Sequence, residues 1–428
     1  MRGPRTLEEK YAMDGILAII MAGGAGERLQ PLTKQRSKGA VPFGGKFRLI
    51  DLTLSNCINS GLRRIFVLTQ YLSESLNRHI QEGWAISSSG LGDYIYSMPA
   101  QQQLGADWYH GTADAVRQNL DLTVRKDIND VLILSGDHIY KMNYLQFVAY
   151  HRTKKAGLTI SAIRVRKAQA SGRLGVLEID QDNRLIGFEE KPAQPRTLAD
   201  APDYALASMG IYVFSADTMR ETLQGEGQDF GKDIIPGMIG QYQDVFVYDY
   251  AEENRIEDVE VRVQNGIREK ILVDKTRDSG FWKDVGSIDS YYDASMDLVS
   301  VNPLFSLYGE RWPVRTYQRP LPPGKCILGG KISESIISDA CIISGGNVQD
   351  SILSPGVVVE KDALVEQSVI FDDVVIDPGA RVRQAIVDKE CKIRAGVSVG
   401  YDREADKRRG CTISDKGIVV VPKGTVIS

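Results

Sequence analysis

Ile16-Leu-Ala-Ile-Ile-Met-Ala-Gly-Gly-Ala-Gly-Glu-Arg-Leu29 changes character halfway along. Its first half, Ile16 to Ile20, is an apolar run of strand length. Its second half is a turn with three glycines and an arginine. Gly23, Gly24 and Gly26 lack a Cβ, so their backbone N–H groups can come close to an anion. Arg28 adds a fixed charge whose fork matches phosphate. A buried strand that opens into such a loop points to a nucleotide triphosphate site. Alone, the segment also reads as an ordinary glycine turn with a surface arginine. It is not a Walker loop, which needs a lysine after its last glycine, nor the Gly-x-Gly-x-x-Gly fingerprint, whose third glycine is replaced here by Leu29.

Outward from this loop, residues from about 15 to 250 alternate strand-like and helix-like stretches. Strands are predicted at Ile16–Met21, Ile65–Thr69, Val131–Ser135, Leu158–Val165 and Met209–Phe214, and helices at Tyr71–Gln81, Ala113–Arg125 and Tyr144–Lys155. The alternation predicts a Rossmann-like α/β domain with a mostly parallel sheet, whose ligands sit beyond the carboxyl ends of the strands. Two apolar stretches around the turn Gln181–Arg184 predict a β-ribbon leaving that sheet. The charge-rich stretch Glu252–Asp278 reads as a surface excursion of no legible role.

After the proline-rich hinge Arg319–Gly324 the pattern changes. Ser351–Gln367, Ser368–Gln384 and Ala385–Tyr401 align without a gap, and Ser335–Asp350 is a looser unit one residue shorter. Apolar residues recur about every six positions, as at Ile370, Ile376 and Val382. Helices repeat every 3.6 residues and strands every 2, so a period near six predicts a parallel β-helix, with a β-branched residue turned inward at each of three corners. The expected organisation is an arm (1–14), a catalytic domain (15–300), a linker (301–325) and a left-handed β-helix (326–428).

Composition narrows the function. The chain has 428 residues, 25% of them charged, and a net charge of −4, which argues against a nucleic-acid binder. No apolar run has membrane-spanning length, and the first ten residues lack the core of a secretory signal. Five scattered cysteines without a CxxC pair suggest free thiols in a reducing cytoplasm.

Further segments carry chemistry. Lys38 lies close enough in sequence to join Arg28 around one polyphosphate. Val131–Ser135 runs into Gly136-Asp137, placing a carboxylate at a strand end, which suits Mg²⁺ with substrate phosphates. Asp284, before Val285-Gly286, is a candidate second metal carboxylate. Glu190 and Lys191 could hold a sugar hydroxyl and a sugar phosphate. Gln101 has the donor and acceptor needed to read a base edge, and Gly111-Thr112-Ala113 would bring backbone close to that base. No serine–histidine–acid set and no thiol with a base partner is visible. The inventory suits transfer between phosphates, where charge neutralisation and positioning dominate.

In combination, Ala22–Leu29, Ser37-Lys38, Gly136-Asp137, Glu190-Lys191-Pro192 and Asp284-Val-Gly286 resemble the sugar-nucleotide pyrophosphorylases. The stretches Arg48–Gly61, Trp108–Ala115, Ser135–Tyr140, Ala207–Phe214 and Asp229–Pro236 are similar to the ADP-glucose-forming branch used in bacterial glycogen synthesis. The resemblance covers nearly the whole chain. It implies the reaction of ATP with glucose 1-phosphate to give ADP-glucose and pyrophosphate, with Mg²⁺ held by Asp137 and Asp284. It implies catalytic roles for Arg28, Lys38, Asp137 and Lys191. The nucleotide is expected at Gly23, Gly24, Gly26, Gln101, Gly111 and Thr112, and the sugar phosphate at Tyr109, Gly175, Glu190, Lys191 and Ser208. A homotetramer and an anionic effector are implied too, with Arg36, Arg48, Arg383, Arg408 and Arg409 as candidate effector contacts. Departures from the relatives are Ala25 for arginine, Gln35 for an activator lysine and Gly39 for proline. Two other readings stay open at this point: an enzyme using another nucleotide or sugar phosphate, and a catalytically silent regulatory subunit. An acyltransferase β-helix is disfavoured, because no histidine follows His151.

Overall fold

The computed structural model describes residues 14–85, 92–100, 108–242 and 244–428. Its first domain is built on a nine-stranded sheet. In chain order the strands are β1 (Ile16–Met21), β2 (Arg64–Thr69), β3 (Tyr94–Pro99), β4 (Asp130–Ser135), β5 (Leu158–Arg166), β6 (Val176–Ile179), β7 (Leu185–Glu189), β8 (Tyr204–Ser215) and β9 (Val245–Asp249). All five predicted strands form. The path runs β7-β6-β8-β4-β1-β2-β3, and β5 pairs with both β8 and β9. The half containing the glycine loop, β4-β1-β2-β3, is parallel. β8 runs against β4, β5 and β6, so the sheet as a whole is mixed.

Why β1 reads as a continuous apolar run is clear from its packing. Ile16, Ala18 and Ile20 face one core, while Leu17 and Ile19 face the other. A strand covered on both sides has no polar face to show. The helices used below are α1 (Leu49–Ser60), α2 (Glu74–Gly83), α3 (Thr112–Gln118), α4 (Tyr144–Lys154) and α5 (Ile288–Asp297). The predicted helix over Ala113–Arg125 breaks at Asn119, where α3 gives way to a single turn, Leu120–Thr123.

One sequence expectation needs correcting here, and another gains detail. The ribbon β6–β7 does not leave the sheet: Val176 pairs with Ala207 of β8, so the ribbon extends the sheet edge. The charged excursion is a hairpin, Asp258–Gln264 against Ile267–Val273, with an anchored base. There Asp258 accepts from the backbone of Glu310, Arg311 and Trp312, and Lys141 pairs with Asp278 at 2.8 Å.

The second domain begins with the strand Lys325–Ile327 and winds three parallel sheets into a three-sided coil, in keeping with a left-handed β-helix. Non-glycine residues in the left-handed region of backbone space mark its corners: Asp362, Gln367, Asp373, Gln384 and Glu390, all with positive φ, while Gly345, Gly379 and Gly396 fill equivalent places. From Asp362 to Gln367, Asp373 and Gly379 the sides measure 5, 6 and 6 residues, which is why the units repeat every 17. The inward residues are not at these corners. They stack on the flat sides, as Ile343-Val359-Ile376-Ile393, Val348-Val365-Val382-Val399 and Leu353-Ile370-Val387-Val421. The corners are hydrogen-bonded from coil to coil as well, as from the Asp362 amide to the Gly345 carbonyl, but the side chains of Asp362, Gln367, Asp373, Gln384 and Glu390 are exposed.

The side carrying Ile352, Val369, Ile386 and Val420 packs on the first domain, joining Leu29, Val41, Leu52, Tyr291 and Phe305 in one shared core. The same junction holds a buried, two-pronged ion pair, Arg36 to Asp388 at 2.9 and 3.0 Å. Among the described residues, no helix is long and apolar enough to cross a membrane.

Candidate active site

Two cavities open beyond the carboxyl ends of β1 and β4, where the topology of an open sheet places ligands. The larger, about 770 Å³, is lined by Gly23, Gly24, Gly26, Arg28, Tyr109, Gly111, Thr112 and Ala115. The smaller, about 330 Å³, is lined by Arg173, Gly175, Glu190, Lys191, Ser208, Tyr212 and Trp282. They meet at a shared wall made by Arg28, Lys38, Thr112, Asp137 and Asp229.

The glycines of the larger cavity have separate reasons. Gly26 has φ 64° and begins the turn Glu27–Leu29 that presents Arg28. A Cβ on Gly111 would lie 2.3 Å from the Gln228 carbonyl oxygen, so no side chain is accommodated there. The same carbonyl accepts from Ala113 and Asp114, which fixes the start of α3. Thr112 donates to Asp229 at 3.1 Å, joining α3 to the turn Phe230–Ile234 on the wall of the smaller cavity.

At the shared wall, the Lys38 ammonium lies 2.6 Å from Asp137 and 3.2 Å from Asp284. Burial opposes its charge, but the two carboxylates outweigh burial and hold the ammonium above its ordinary pKa. Burial alone would raise the Asp137 carboxyl; Lys38, His138 and a hydrogen bond from Ser135 reverse this and hold it well below the usual range. Asp137 and Asp284 are brought together by a short antiparallel pair, His138–Tyr140 with Trp282–Asp284. Burial pushes the His138 pKa down against the pull of both aspartates, so its ring is neutral near pH 7. Trp282 donates to His138 Nδ1 at 3.4 Å, which leaves the proton on Nε2, facing Asp137 at 3.7 Å and Asp284 at 3.9 Å. Two converging carboxylates, beside a cavity sized for phosphates, form the donor set that a hard divalent cation uses together with substrate oxygens.

In the smaller cavity, Glu190 sits against two glycines. A Cβ on Gly231 would come within 2.6 Å of its carboxylate, and one on Gly175 within 3.0 Å. Lys191 reaches back to Glu190 at 2.7 Å, from a backbone with φ 48°. A non-glycine residue in that region is strained, and such strain gathers at functional sites. Ser208 is placed by a bulge in β8 around Gly210, where the pairing register with β5 shifts.

Most of the expected site residues therefore converge. Gln101 lies outside the described residues. Tyr109, expected at the sugar phosphate, instead lines the larger cavity beside the glycine loop, and Gln70 donates to its carbonyl at 3.4 Å. The arginines expected at an effector divide. Arg36 is 5% exposed and committed to Asp388. Arg48 is half-buried at the N-terminus of α1, where it donates to the Ser75 carbonyl at 2.7 Å. Arg383 lies on another side of the β-helix, stacked on Tyr401 at 4.5 Å. Arg408 ends, and Arg409 caps, a short helix inserted into the last coil, where Arg409 donates to the Ser398 carbonyl at 3.0 Å.

The sequence reading missed Asp229, Trp282 and Lys389. Asp229 sits in a stretch it quoted and Trp282 lies two residues before Asp284, but nothing local says which cavity they face. Lys389 pairs with Asp372 at 3.0 Å, and burial followed by nearby Arg48 and Arg36 lowers its pKa.

Residues 17–301 match the family model described as nucleotidyl transferase, and residues 323–421 match the one described as GlmU-like, C-terminal hexapeptide. Fold, paired cavities and these matches define the class, a nucleotidyltransferase with a hexapeptide-repeat domain. A glucose-1-phosphate adenylyltransferase of Rhodopirellula baltica is 42% identical, over 96% of this chain and 91% of its own length. Glucose-1-phosphate adenylyltransferase 2 of Vibrio cholerae is 43% identical over 96% and 98%, and the Methylococcus capsulatus enzyme 44% identical over 95% and 92%. The chain belongs to the glucose-1-phosphate adenylyltransferase family.

Proposed function

We propose that the chain transfers the adenylyl group of ATP to α-D-glucose 1-phosphate, giving ADP-glucose and pyrophosphate for glycogen synthesis in the cytoplasm. The observation that carries this is the meeting of the two cavities at Lys38, Asp137 and Arg28. A triphosphate in the larger cavity and a sugar phosphate in the smaller would have their reacting atoms at that wall.

A phosphate oxygen of the sugar phosphate forms a bond to the α-phosphorus of ATP. The bond from that phosphorus to the β-phosphate bridging oxygen breaks, and the electron pair leaves with pyrophosphate. The attacking oxygen is already anionic near neutral pH, so the step needs no general base. This agrees with a neutral His138 tied to Trp282. Arg28 and the glycine-loop amides would neutralise the departing pyrophosphate. Lys38 would turn from its carboxylates to bridging phosphate oxygens, and Lys191 would meet the sugar phosphate. Glu190 and Ser208 would orient the glucose, and Gly111 with Thr112 would border the base. Asp137 and Asp284 would hold Mg²⁺, which supplies charge neutralisation at the triphosphate.

Control by a small anion near Arg48 and Lys389, and a homotetramer, complete the reading. Its support is the half-burial of these cations at the domain junction and the exposed apolar residues Ile327 and Leu328 on the first coil. The test is pyrophosphate release with ATP, UTP or GTP and a panel of sugar phosphates. Turnover confined to ATP with glucose 1-phosphate, and lost in Asp137→Asn, is expected. A preference for UTP would remove the ADP-glucose assignment, and full activity in Asp137→Asn would remove the metal assignment.

A further inference from the structure

All twelve residues of α1 are buried, yet half of them are polar: Asp51, Thr53, Ser55, Asn56, Asn59 and Ser60. Buried polar groups are costly unless partnered. A buried helical threonine commonly satisfies itself on the carbonyl four residues back. Here the partners lie off the helix, and they sort into two stripes.

One stripe holds the segment that carries Asp137. Thr53 donates to the Ser135 carbonyl at 2.8 Å, two residues before Asp137. Asn56 Nδ2 donates to the Tyr140 carbonyl at 3.1 Å, three residues after it. Ser60 donates to the Met142 carbonyl at 3.4 Å and accepts from the Tyr144 amide at 2.8 Å. Between these points Gly136 lies directly on Ile50, since a Cβ on Gly136 would come 2.6 Å from Ile50 Cδ1. The other stripe, about 130° round the helix at 100° per residue, holds the linker. Asp51 accepts from Thr316 at 2.6 Å, Ser55 accepts from the Arg315 amide at 2.8 Å, and Asn59 donates to the Pro313 carbonyl at 3.0 Å. Asn56 serves both stripes, because its Oδ1 accepts from the Trp312 indole at 3.0 Å. Asp51 also accepts from His79 of α2 and from Trp84, which fixes the helix laterally.

We propose that Thr53 and Asn56 are positioning residues for the metal site. They hold the backbone on either side of Asp137, and so set its carboxylate relative to Asp284 and Lys38, while linker residues 312–316 clamp the helix from its other side. Neither residue lines the two cavities, so neither touches substrate. The inference rests on the reading of Asp137 and Asp284 as the cation ligands. A hydrogen bond that only filled a buried site would affect stability alone. One that sets a ligand's position changes how strongly a cation improves nucleotide binding.

The experiment uses the full chain. ATP affinity is read from tryptophan emission, with Mg²⁺ and with a chelator, in the absence of glucose 1-phosphate so that no turnover occurs. The Mg²⁺ concentration for half-maximal activity and the melting temperature are measured alongside. In Thr53→Val the Mg²⁺-dependent gain in ATP affinity should shrink, and the half-maximal Mg²⁺ concentration should rise, each on the order of fivefold for one lost hydrogen bond. Affinity with chelator should be unchanged, and Thr53→Ser should restore both values. A lowered melting temperature with an unchanged Mg²⁺-dependent gain would overturn the proposal. If Thr53→Val does not fold, Asn56→Ser carries the same test from the far side of Asp137. Asp137→Asn separates the two levels. If it keeps the Mg²⁺-dependent gain, the metal reading itself fails; if it loses the gain while Thr53→Val and Asn56→Ser keep it, only the positioning role fails.

Discussion

Lys38 occupies the place between Asp137 and Asp284 where a divalent cation would also sit. Because Asp137 is held ionised well below the usual carboxylate range, it does not titrate across the working pH of an enzyme. His138, with its pKa lowered by burial, is neutral there as well. An acid limb in the rate profile is then assigned to the substrate, whose phosphate dianion takes up a proton near pH 6. The prediction is an acid limb with an apparent pKa of about 6 in kcat/KM for glucose 1-phosphate that does not move in His138→Asn. A shifted limb would assign it to the enzyme. At this scale the sequence was informative about carboxylates and cations, because strand ends and glycine turns announce themselves locally. It was silent on which cavity Tyr109 or Asp229 faces. That depends on a turn, Phe230–Ile234, docking against α3 more than a hundred residues earlier in the chain.

Among the elements, α4 carries a pH-sensitive residue far from the chemistry. His151 is 2% exposed, accepts or donates with Thr159 at 2.8 Å, and lies 3.6 Å from Asp130. Burial, only partly offset by Asp130, lowers its pKa to about 4. A depressed folded-state value means that its contribution to stability is complete above the unfolded value of about 6.5 and is lost as pH falls toward 4. Stability should fall by roughly 1.4 kcal/mol per pH step within that window from this group. His151→Gln should flatten that part of a denaturant-midpoint curve; an unchanged slope would place the acid sensitivity elsewhere. In the β-helix, each inward residue packs against its own coil and the coils above and below it. Ile376→Ala, at a fully buried place in the stack, should lower stability by about 2–5 kcal/mol, seen as a lower denaturant midpoint of the β-helix transition. The six-residue period revealed this architecture because a coil of sides 5, 6 and 6 keeps the apolar pattern in phase. The hairpin at Asp258–Val273 was legible in principle, since Val259, Val261 and Val263 alternate ahead of the turn Asn265-Gly266, but the surrounding charge drew the reading away from that pattern.

Over the whole molecule, the β-helix grips the catalytic domain on both flanks of the proposed reaction centre. Asp388 holds Arg36, two residues before Lys38. On the other flank, the Tyr292 hydroxyl donates to the Gln367 carbonyl at 2.6 Å and Lys416 pairs with Asp293, both on α5, which starts four residues after Asp284. Breaking a buried pair on one side only leaves an uncompensated charge. Arg36→Met should therefore cost about 3–5 kcal/mol, while Arg36→Met with Asp388→Leu should cost much less; a double-variant cost equal to the sum of the two single costs in chemical denaturation would show that the pair adds nothing beyond its separate groups. No sequence pattern could have shown this pair, whose members are 352 positions apart.

The last coil contains a detour. After Val399 the chain leaves the stack at Gly400, whose φ is 86° and where a Cβ would lie 1.8 Å from the Arg383 carbonyl oxygen. It forms the helix Arg403–Arg408 and the strand Thr412–Ile413, then rejoins the ladder at Val419, opposite Ala385. Because the detour departs and returns at a single corner, the ladder on either side stays in phase. The helix Arg403–Arg408 can thus be lengthened, shortened or exchanged as a cassette, so long as the return strand keeps Lys416 on Asp293 and Ile418 in the shared core.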